Sequence, residues 1–595
     1  MTPDTQDGRT ELGPWNPGIV SRLPAAYRPL SSLFRPENAF TPAAEAQELA
    51  DFTGLEIADC VAFRPERLAL HELLIRVSAE LSVPDGSRYE DLGINFRTMT
   101  ERLFNTCVRD RMDEVTAAFD ALKREAGAAL DEALAALAPP PEPPAGRLSW
   151  WRRLGSGPAA SPSLSPPAPR DDPAGTPVER WRAQAGAEHD DLRRAAMEAL
   201  VHTADAVTRR HGRLVGDGAL LRRIALDRVA NTLGSERIGA LIEPWVLAGA
   251  AAEGFRVLPT QTHPVVMNVK GASASGKSSM RPLQRRLAAR LGIDWADFAL
   301  ISPDIWRKYL LDYDSLGDAF RYAGTLSGVE LEIVDQKLDR HMARKAERGR
   351  MTHLLIDRFR FDSFTLAPDG DGPGRLLTRF GHVIYMFFMI TPPEATVERA
   401  WTRGLQFGRY KAVDDLLDHN VEAYEGMPGL FFTWAQRADK RVHVEFLDNG
   451  VAEGETPRTV AWGWNDTLTV LDIGKLLDVD RYRRIDIDAK SPAQVYPSPT
   501  AMAPERNTGF LRACAQRIPR VDFAEFDTGR IFARLESGRL VWTDPAPLAR
   551  ALADADSRAG LTALAPDIAD APGAHPATPE YADRAGADTL GRWGA

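Results

Sequence analysis

Cysteine is scarce in this 595-residue chain, which contains three cysteines, Cys60, Cys107 and Cys514. They are far apart in the sequence and form no Cys-x-x-Cys pair, so the pattern excludes a disulfide framework and a zinc site built from cysteine pairs. A long apolar stretch is also missing. The most apolar short run, HVIYMFFMI at 382–390, is too short to span a bilayer and predicts a buried strand.

The chain has no basic surplus. It contains 73 Lys and Arg against 83 Asp and Glu, which gives a formal net charge of −10. A protein that coats nucleic acid needs a basic face to neutralise phosphates, so this balance disfavours a nucleic-acid partner. The first residues, MTPDTQDGRTELG, are polar and lack the apolar core of a signal peptide. We therefore expect a cytoplasmic protein with no membrane partner.

Composition and periodicity divide the chain into five predicted regions. Apolar residues recur at three- and four-residue spacing before residue 256, which is typical of helices, except in a stretch too rich in Pro, Ser, Gly and Ala to bury a core. The predicted regions are a helical N-terminal domain at 1–138, a flexible linker at 139–177, a second helical region at 178–255, an α/β domain at 256–450 and a smaller C-terminal α+β region with a loose tail at 451–595.

Short apolar runs alternate with helical stretches from about residue 263, which predicts an α/β fold with a parallel sheet. The predicted strands of this domain are 265–269, 298–301, 353–356, 382–388 and 442–447. After residue 450 the sequence predicts further strands in TVAWGW and TLTVLDI and a hairpin in RIFARLESGRLVWTD.

One motif carries specific chemistry. The sequence VVMNVKGASASGKSSMRPLQRRLAARLG contains G-x-x-x-x-G-K-S, preceded by a β-branched run and followed by an amphipathic helix. These are the flanks that a phosphate-binding P-loop requires, and they argue against a chance Gly/Ser-rich loop. The predicted nucleotide-binding residues are Gly271, Ala272, Ser273, Ala274, Ser275, Gly276, Lys277, Ser278 and Ser279.

Each residue type in this motif has a physical reason. Gly271 and Gly276 let the backbone curl so that its amides point into one concavity around phosphates. Lys277 is expected to bridge the β- and γ-phosphates, and Ser278 to bind Mg²⁺ through its hydroxyl. The helix that follows places its positive end beneath the anion. The motif therefore predicts ATP or GTP, with Mg²⁺, as the ligand.

Two aspartates follow predicted strands near the P-loop strand. Asp304, in ISPDIWR, is expected at the mouth of the sheet, where it can accept a proton from an attacking hydroxyl; its alternative role is a helix N-cap. Asp357, in LLIDRF, has the arrangement of a carboxylate that binds Mg²⁺ or its waters; its alternative role is to cap a turn.

Several arginines are candidates to bind anions. Arg307 follows Asp304, and Arg358 and Arg360 follow Asp357, each at the end of a predicted strand, where they can bind an anionic substrate. For Arg358 and Arg360 the alternative is pairing with nearby acidic residues. A second set, Arg399, Arg403 and Arg409, lies on or after the helix that leaves the fourth strand. These are predicted to cover the migrating phosphoryl group, with a solvated basic face as the alternative.

Taken together, the P-loop, ISPDIWR, a glutamate on the following helix, LLIDRF, TVER followed by GRY, and EFLDN resemble the zeta toxin family of P-loop kinases over residues 264–449. The resemblance implies a kinase-like α/β sandwich. It also implies transfer of the γ-phosphoryl group of ATP to a hydroxyl of a nucleotide-containing metabolite, such as the sugar of UDP-N-acetylglucosamine.

The resemblance also implies roles for individual residues. Lys277 and Ser278 correspond to the ATP and Mg²⁺ ligands, Asp304 to the catalytic base, and Arg399 and Arg409 to the pair that grips the transferring phosphate. The spacing between these arginines is shorter than in the toxins, so Arg403 is an alternative partner. The substrate-positioning glutamate is Glu330 or Glu332.

We therefore expect an Mg²⁺-dependent kinase acting on a small nucleotide- or sugar-containing acceptor. The alternatives are a regulatory NTPase, in which hydrolysis rearranges the helical regions, and a polynucleotide kinase. The size and helicity of the N-terminal regions further suggest intramolecular regulation, in which they cover the active site.

Overall fold

The computed structural model of the chain describes residues 12–88, 90–135, 176–358, 377–568 and 578–593. Nearly all of the predicted linker, the candidate Arg360 and residues 569–577 of the predicted tail lie outside the described residues. The chain divides into two compact units. The larger comprises Met1–Ser32, Leu73–Cys107 and Glu243–Ala595, and the smaller comprises Leu33–Glu72 and Val108–Ile242.

Helices account for most of the described chain before residue 256, in agreement with the apolar periodicity. They are α1 (Ala43–Thr53), α2 (Pro65–Glu80), α3 (Asp91–Leu103), α4 (Met112–Ala135), α5 (Pro177–Ala187), α6 (Asp191–His211), α7 (Gly218–Val229) and α8 (Ser235–Ala252).

A buried tryptophan links two helices of the smaller unit. Trp181 on α5 is 1 % exposed, and its indole Nε1 donates to the carbonyl of Ala133 on α4 at 3.1 Å. Helix α5 begins with a capping box, in which the Thr176 side chain accepts from the Glu179 amide and the Glu179 side chain accepts from the Thr176 amide. The box satisfies two amides that would otherwise lack a partner at the start of the helix.

The larger unit contains a ten-stranded sheet in the order β10-β9-β8-β7-β6-β5-β4-β1-β3-β2. The strands are β1 (Val265–Lys270), β2 (Phe298–Ile301), β3 (His353–Ile356), β4 (Val383–Ile390), β5 (Arg441–Asp448), β6 (Arg458–Trp464), β7 (Thr467–Val470), β8 (Arg520–Ala524), β9 (Ile531–Glu536) and β10 (Arg539–Thr543). The predicted mixed α/β class is confirmed.

Five of the nine strand pairings are parallel: β1 with β3 and with β4, β2 with β3, β4 with β5, and β7 with β8. The region after residue 450, which the sequence sets apart as a C-terminal α+β region, adds its five strands to the edge of this same sheet. The predicted hairpin is the antiparallel pair β9 and β10.

The remaining helices pack around the sheet and connect its strands. They are α9 (Arg281–Arg290), α10 (Arg307–Leu310), α11 (Ala323–Leu326), α12 (Gly328–Glu347), α13 (Pro393–Phe407), α14 (Val413–Ala435), α15 (Ile473–Arg481), α16 (Pro499–Met502), α17 (Gly509–Arg517), α18 (Pro545–Ala553) and α19 (Ala555–Leu564). Among the described residues, none of the helices combines the length and apolarity needed to cross a lipid bilayer.

The middle of the sheet is buried on both faces. Seven of the eight residues of β4 are buried, which is why this strand reads as a continuous apolar run rather than an alternating one. Phe388 on β4 stacks on Phe446 of β5 with ring centroids 4.9 Å apart, and Phe431 of α14 packs against Phe446 at 5.3 Å. This packing gives the carboxyl ends of the parallel strands a rigid support.

A buried ionic cluster joins the end of α2 to α12 within the larger unit. Glu80 accepts from Lys345 Nζ and from His341 Nε2, both at 2.8 Å, and Lys345 also donates to the carbonyl of Ala79 at 2.7 Å. Burial alone would raise the pKa of Glu80, but the hydrogen bond from His341 and the charge of Lys345 outweigh it and lower this pKa.

We expect Glu80→Ala to lower the free energy of unfolding by about 3 kcal/mol, because it leaves the buried Lys345 charge without its partner. The contribution of Glu80 is present above the usual pKa of a glutamate and is lost as the pH falls through its lowered folded-state pKa. Denaturant unfolding at several pH values measures both effects. Glu347→Ala, at the exposed end of α12, is the control; equal losses for the two variants would contradict this role of the cluster.

Candidate functional site

The loop after β1 is sharply bent. β1 ends at Lys270, and the next helical segment starts with a 3-10 turn, Lys277–Met280, that continues into α9. Inside the loop, Ala274 has a φ of 60° and Gly276 a φ of 93°. Left-handed conformations of this kind let a short loop close on itself in front of a helix, as the motif predicts.

Gly271 has no room for a side chain. A Cβ atom at this position would lie 2.8 Å from the Cβ of Met389 on β4 and 2.8 Å from the Oγ of Ser275. Because contacts this short are not tolerated, glycine is what allows the loop to lie directly against β4.

Two residues that follow neighbouring strands hold the loop in place. The Thr391 hydroxyl, just after β4, and the Asn449 side-chain amide, just after β5, donate to the carbonyl of Ser275 at 3.1 and 2.7 Å. The sequence analysis assigned neither residue a role. Their position directly after predicted strands was the available signal, since the carboxyl ends of parallel strands meet at one edge of a sheet.

Lys277 lies across the loop. Its Nζ donates to the carbonyls of Gly271 and Ala272 at 3.0 and 2.8 Å. Burial lowers the pKa of Lys277 to about 8, although the charges of Asp357 and Asp304 act in the opposite direction. Both predicted aspartates thus act electrostatically on the loop lysine.

Ser278 and Asp357 form a close pair. The Ser278 hydroxyl donates to Asp357 Oδ2 at 2.5 Å, and the Asp357 amide donates to the carbonyl of Ile301 on β2 at 2.9 Å. A hydroxyl and a carboxylate are oxygen ligands that Mg²⁺ takes together with phosphate and water. In the part of the chain that the structure describes, no cluster of three or more His, Cys, Asp or Glu is placed to hold a metal ion alone. The Ser278–Asp357 pair offers two oxygen ligands of the kind that such an ion takes.

Asp304 lies in the 3-10 turn Pro303–Trp306 that follows β2. The turn is anchored by Trp306, which is fully buried and donates through Nε1 to the Ser78 hydroxyl at 3.1 Å. Ser302 occupies the N-cap position of the turn, and the Asp304 carboxylate contacts arginines instead. Its side chain is 48 % exposed.

Arginines dominate the electrostatics of Asp304. Arg307 Nε donates to Asp304 Oδ1 at 2.8 Å, and the Arg409 guanidinium forms an ion pair with Oδ2. Desolvation would raise the pKa of Asp304, but the charges of Arg409, Arg307 and Arg403 hold it well below its usual value. Water screens these charges in part, since half of the side chain is exposed. The carboxylate is nevertheless ionised at neutral pH.

The three arginines on or after α13 divide into two groups. Arg409 contacts Asp304 directly, and the charge of Arg403 acts on both Asp304 and Lys277. Arg399 instead donates to the main-chain carbonyls of Asn449 at 2.8 Å and Val451 at 3.1 Å, after β5. Arg403 and Arg409 therefore both act on Asp304, Arg409 through an ion pair and Arg403 through its charge.

Arg399 nevertheless remains beside the loop. A Cβ atom built on Gly276 would lie 3.7 Å from an Nη atom of Arg399. The acidic residues of the same helix have partners elsewhere: Glu398 accepts from Trp15 Nε1 at 3.2 Å and Glu394 from the Tyr496 hydroxyl at 2.7 Å.

The candidate substrate-binding residues lie in different surroundings. Glu330 is 1 % exposed in the first turn of α12, whereas Glu332 is exposed. Arg307 donates to the carbonyl of Gly324 at 2.7 Å in addition to its bond to Asp304. Arg358 is buried and donates through Nε to Asp335 at 2.9 Å, so the structure directs it into the fold rather than to the Asp304 group.

Comparison of the chain with models of protein families, with curated proteins and with solved structures finds no match. The chemistry of the site therefore has to be inferred from its own residues.

The structure adds a further cation that the sequence analysis missed. Lys411, two residues after Arg409, contacts His419 on α14 and lies 3.5 Å from Asp415. Burial lowers the pKa of Lys411 to about 8, and burial together with the charges of Lys411 and Lys277 lowers the pKa of His419 to about 3. Lys411 thus belongs to the same concentration of positive charge; its place directly after GRY was the only sequence signal.

We expect Gly276→Ala to destabilise the protein more than Gly292→Ala. Both glycines have a positive φ, 93° and 71°, so each alanine costs about 1 kcal/mol. Of the two new Cβ atoms, only the one at Gly276 would clash with another atom, the Nδ2 of Asn449. This clash would break the hydrogen bond from Asn449 to the carbonyl of Ser275, at a cost of about 1 kcal/mol more. Denaturant unfolding of both variants measures the difference, and equal losses would show that Asn449 does not hold the loop.

Proposed function

We propose that this protein is a kinase that transfers the γ-phosphoryl group of ATP or GTP, with Mg²⁺, to a hydroxyl of a small nucleotide- or sugar-containing metabolite. The observation that carries the proposal is the meeting of a P-loop, the Ser278–Asp357 pair and an arginine-bound Asp304 at one edge of the sheet. Each of these groups has a distinct task in phosphoryl transfer.

The topology supports a P-loop kinase-like fold for this part of the chain. The first five strands lie in the order β2-β3-β1-β4-β5, all parallel. The connection from β1 runs to one side of the sheet, to β2, and the connection from β3 runs to the other, to β4. In open α/β sheets ligands bind outside the carboxyl ends of the strands where such connections diverge. The P-loop follows β1 and Asp357 follows β3, so both flank this point.

The P-loop supplies the phosphate site in this proposal. The curled main chain and the start of the following helix attract the β- and γ-phosphates, and Lys277 is the cation nearest to them. Lys277 donates to two loop carbonyls, and burial lowers its pKa to about 8. A triphosphate in the loop would accept hydrogen bonds from the amine and raise this pKa, which favours the charged form further.

Ser278 and Asp357 would hold Mg²⁺ through the serine hydroxyl and the aspartate carboxylate. When bound, the ion neutralises charge on the phosphate oxygens.

Asp304 is the proposed base. Its ionised carboxylate accepts the proton of the acceptor hydroxyl while that oxygen forms a bond to the γ-phosphorus and the bond between the γ-phosphorus and the bridging oxygen breaks. The nucleoside diphosphate leaves with the electron pair of that bond. A weakly basic carboxylate suffices, because phosphoryl transfer has a loose transition state and depends mainly on positioning.

Arg403 and Arg409 are the proposed stabilising charges. The charges of both arginines act on Asp304 and on Lys277, so both reach the proposed base and the lysine of the loop. Fixed positive charge at this position lowers the barrier by stabilising the equatorial oxygens of the group in transit. Arg399, bound to carbonyls after β5, instead supports the nucleotide side of the site.

The acceptor class follows from the resemblance to zeta toxins together with the positive surroundings of Asp304. Arg307 and Lys308, the latter with a pKa lowered by burial and by the charges of Arg97 and Arg409, add to this field. An acceptor that carries phosphate, such as a nucleotide sugar, is compatible with it. Glu330 and Glu332 both remain candidates to position the acceptor hydroxyl.

We expect Asp304→Asn to bind nucleotide as the unaltered protein does but to lose turnover by about 10²- to 10⁴-fold, because the amide cannot accept the proton. The assay incubates purified protein with γ-labelled ATP and a metabolite pool and identifies the labelled product by mass spectrometry. Asp318→Asn, at an exposed position, is the control and should label normally.

Hydrolysis of ATP without any labelled metabolite would contradict the kinase proposal and favour a regulatory NTPase. Full labelling by Asp304→Asn would contradict the role of Asp304 while leaving the kinase assignment in place.

We expect Arg403→Ala and Arg409→Ala to lower kcat by about 10²-fold or more, because they remove charge next to the transferred group. Arg399→Ala should mainly raise KM for the nucleotide, since its contacts are with the chain after β5. Arg286→Ala, on the exposed face of α9, is the control. Steady-state kinetics separate the two effects, and a loss of kcat in Arg399→Ala as large as in Arg403→Ala would reject this division of roles.

A further inference from the structure

A second crevice lies farther along the same sheet. β7 and β8 are parallel neighbours, joined by a crossover through α15, α16 and α17. A cavity of about 950 Å³ opens at the carboxyl ends of these two strands, where Val470 ends β7 and Ala524 ends β8. This volume lies in the range of small-molecule sites, and the end of a parallel pair is where α/β folds bind ligands.

The walls of the cavity come from three helices. One face of α15 supplies residues at helical spacing, among them Lys475, Asp478 and Arg481, and the junction between α18 and α19 supplies the opposite wall. The two walls are tied together by Arg481, whose guanidinium donates to both carboxylate oxygens of Asp556 at 2.8 Å. None of the lining residues belongs to the candidate functional site.

Carboxylates outnumber cations in the lining by six to three. The three cations already have acidic partners: Arg481 binds Asp556, Arg550 binds Glu525, and Lys475 lies 3.5 Å from Asp478. The remaining carboxylates are Asp472, Asp527 and Asp554. Burial raises the pKa of Asp472, against the opposing effects of the Lys475 amide and of the nearby Arg458 and Lys475 charges, so the surroundings of this carboxylate penalise its negative charge.

The helix ends in the wall do not make this an anion site. The first turns of α15 and α19 meet the cavity, but Asp472 already accepts from the Lys475 amide at 2.9 Å and Asp554 from the Ser557 amide at 2.8 Å. The partial positive charge of each helix start is therefore covered by a carboxylate. An anion entering the cavity would meet these carboxylates first.

Apolar side chains share the cavity lining with the acidic groups. They include Leu471, Ile473, Phe526, Phe532 and Pro547. A ligand that matches this lining carries several positive charges separated by short apolar segments. Linear polyamines have this chemistry, because their amines are charged at neutral pH and their methylene chains can lie against aliphatic and aromatic side chains.

We infer that this cavity is a binding site for a linear organic polyamine, separate from the phosphoryl-transfer site. The inference does not depend on the proposed kinase activity, since it uses the shape, charge and apolar lining of the C-terminal strands and helices alone.

Isothermal titration of the full-length protein with spermidine at low salt tests this inference. The unaltered protein should bind spermidine saturably. Asp527→Lys, at the exposed rim, should raise the dissociation constant by about tenfold or more, because the new positive charge repels the ligand. Asp488→Lys, which makes the same charge change at an exposed position outside the lining, should change it by less than about twofold. Asp304→Asn should bind spermidine normally.

A second variant distinguishes the cavity from general attraction to an acidic protein. Ala551→Trp fills the cavity without any change in charge and should weaken binding by about tenfold as well. Absence of saturable binding, equal effects of Asp527→Lys and Asp488→Lys, or unchanged binding in a folded Ala551→Trp protein would each overturn the inference. If Ala551→Trp does not fold, as judged by circular dichroism, the comparison of Asp527→Lys with Asp488→Lys decides.

Discussion

Parallel hydrogen bonding of β1 with β3 and with β4 sets the geometry of the candidate site. Strands that run in the same direction end at the same edge of a sheet, so the loops that follow them are forced into proximity. The P-loop, Asp357 and Thr391 follow these three strands in turn, and Asn449 follows β5. The contacts between them, Ser278 with Asp357 and both Thr391 and Asn449 with Ser275, are consequences of that shared direction.

Charge at this edge is unevenly distributed. Arg307, Arg403 and Arg409 act on Asp304, Arg403 and Arg409 also act on Lys277, and the charges of Arg403 and Arg307 act on Lys411. Burial lowers the pKa of both lysines to about 8. Like charges held together in a partly buried site repel one another, and a bound polyanion would relieve that repulsion. In the proposed reaction the same charges that attract the triphosphate also stabilise the group in transit, and the ionised Asp304 is kept in place by arginine until an acceptor enters.

The C-terminal strands form a second crevice at the same edge of the sheet. β6 pairs antiparallel with both β5 and β7, so β7 and its parallel neighbour β8 run in the same direction as β5. The carboxyl ends of β7 and β8 therefore lie on the edge that also carries the P-loop. The two crevices differ, however, in the sign of the charge that surrounds them. Arginine and lysine surround the first, whereas the second has twice as many carboxylates as cations. The two proposed binding sites at this edge of the sheet thus differ in the sign of their charge.

Much of the local structure could be predicted from the sequence. Apolar runs and turn chemistry located β1 to β5 to within a few residues, because strands buried on both faces must be continuously apolar. The spacing of Gly271, Gly276, Lys277 and Ser278 located the sharply bent loop after β1, which the motif predicts to bind phosphate. The sequence after residue 450 predicted strands but not the sheet to which they belong, because strand-like segments do not reveal their pairing partners.

The sequence by itself determined where strands, helices and the P-loop lie along the chain, because these depend on neighbours within about ten residues. Only the tertiary structure decided which distant side chains meet. It joined Asp304 to Arg409 across about a hundred residues of chain, separated Arg399 from Arg403 although both lie on one helix, and turned Arg358 inward to Asp335. Such pairings depend on how whole elements pack, and a local pattern carries no information about that packing.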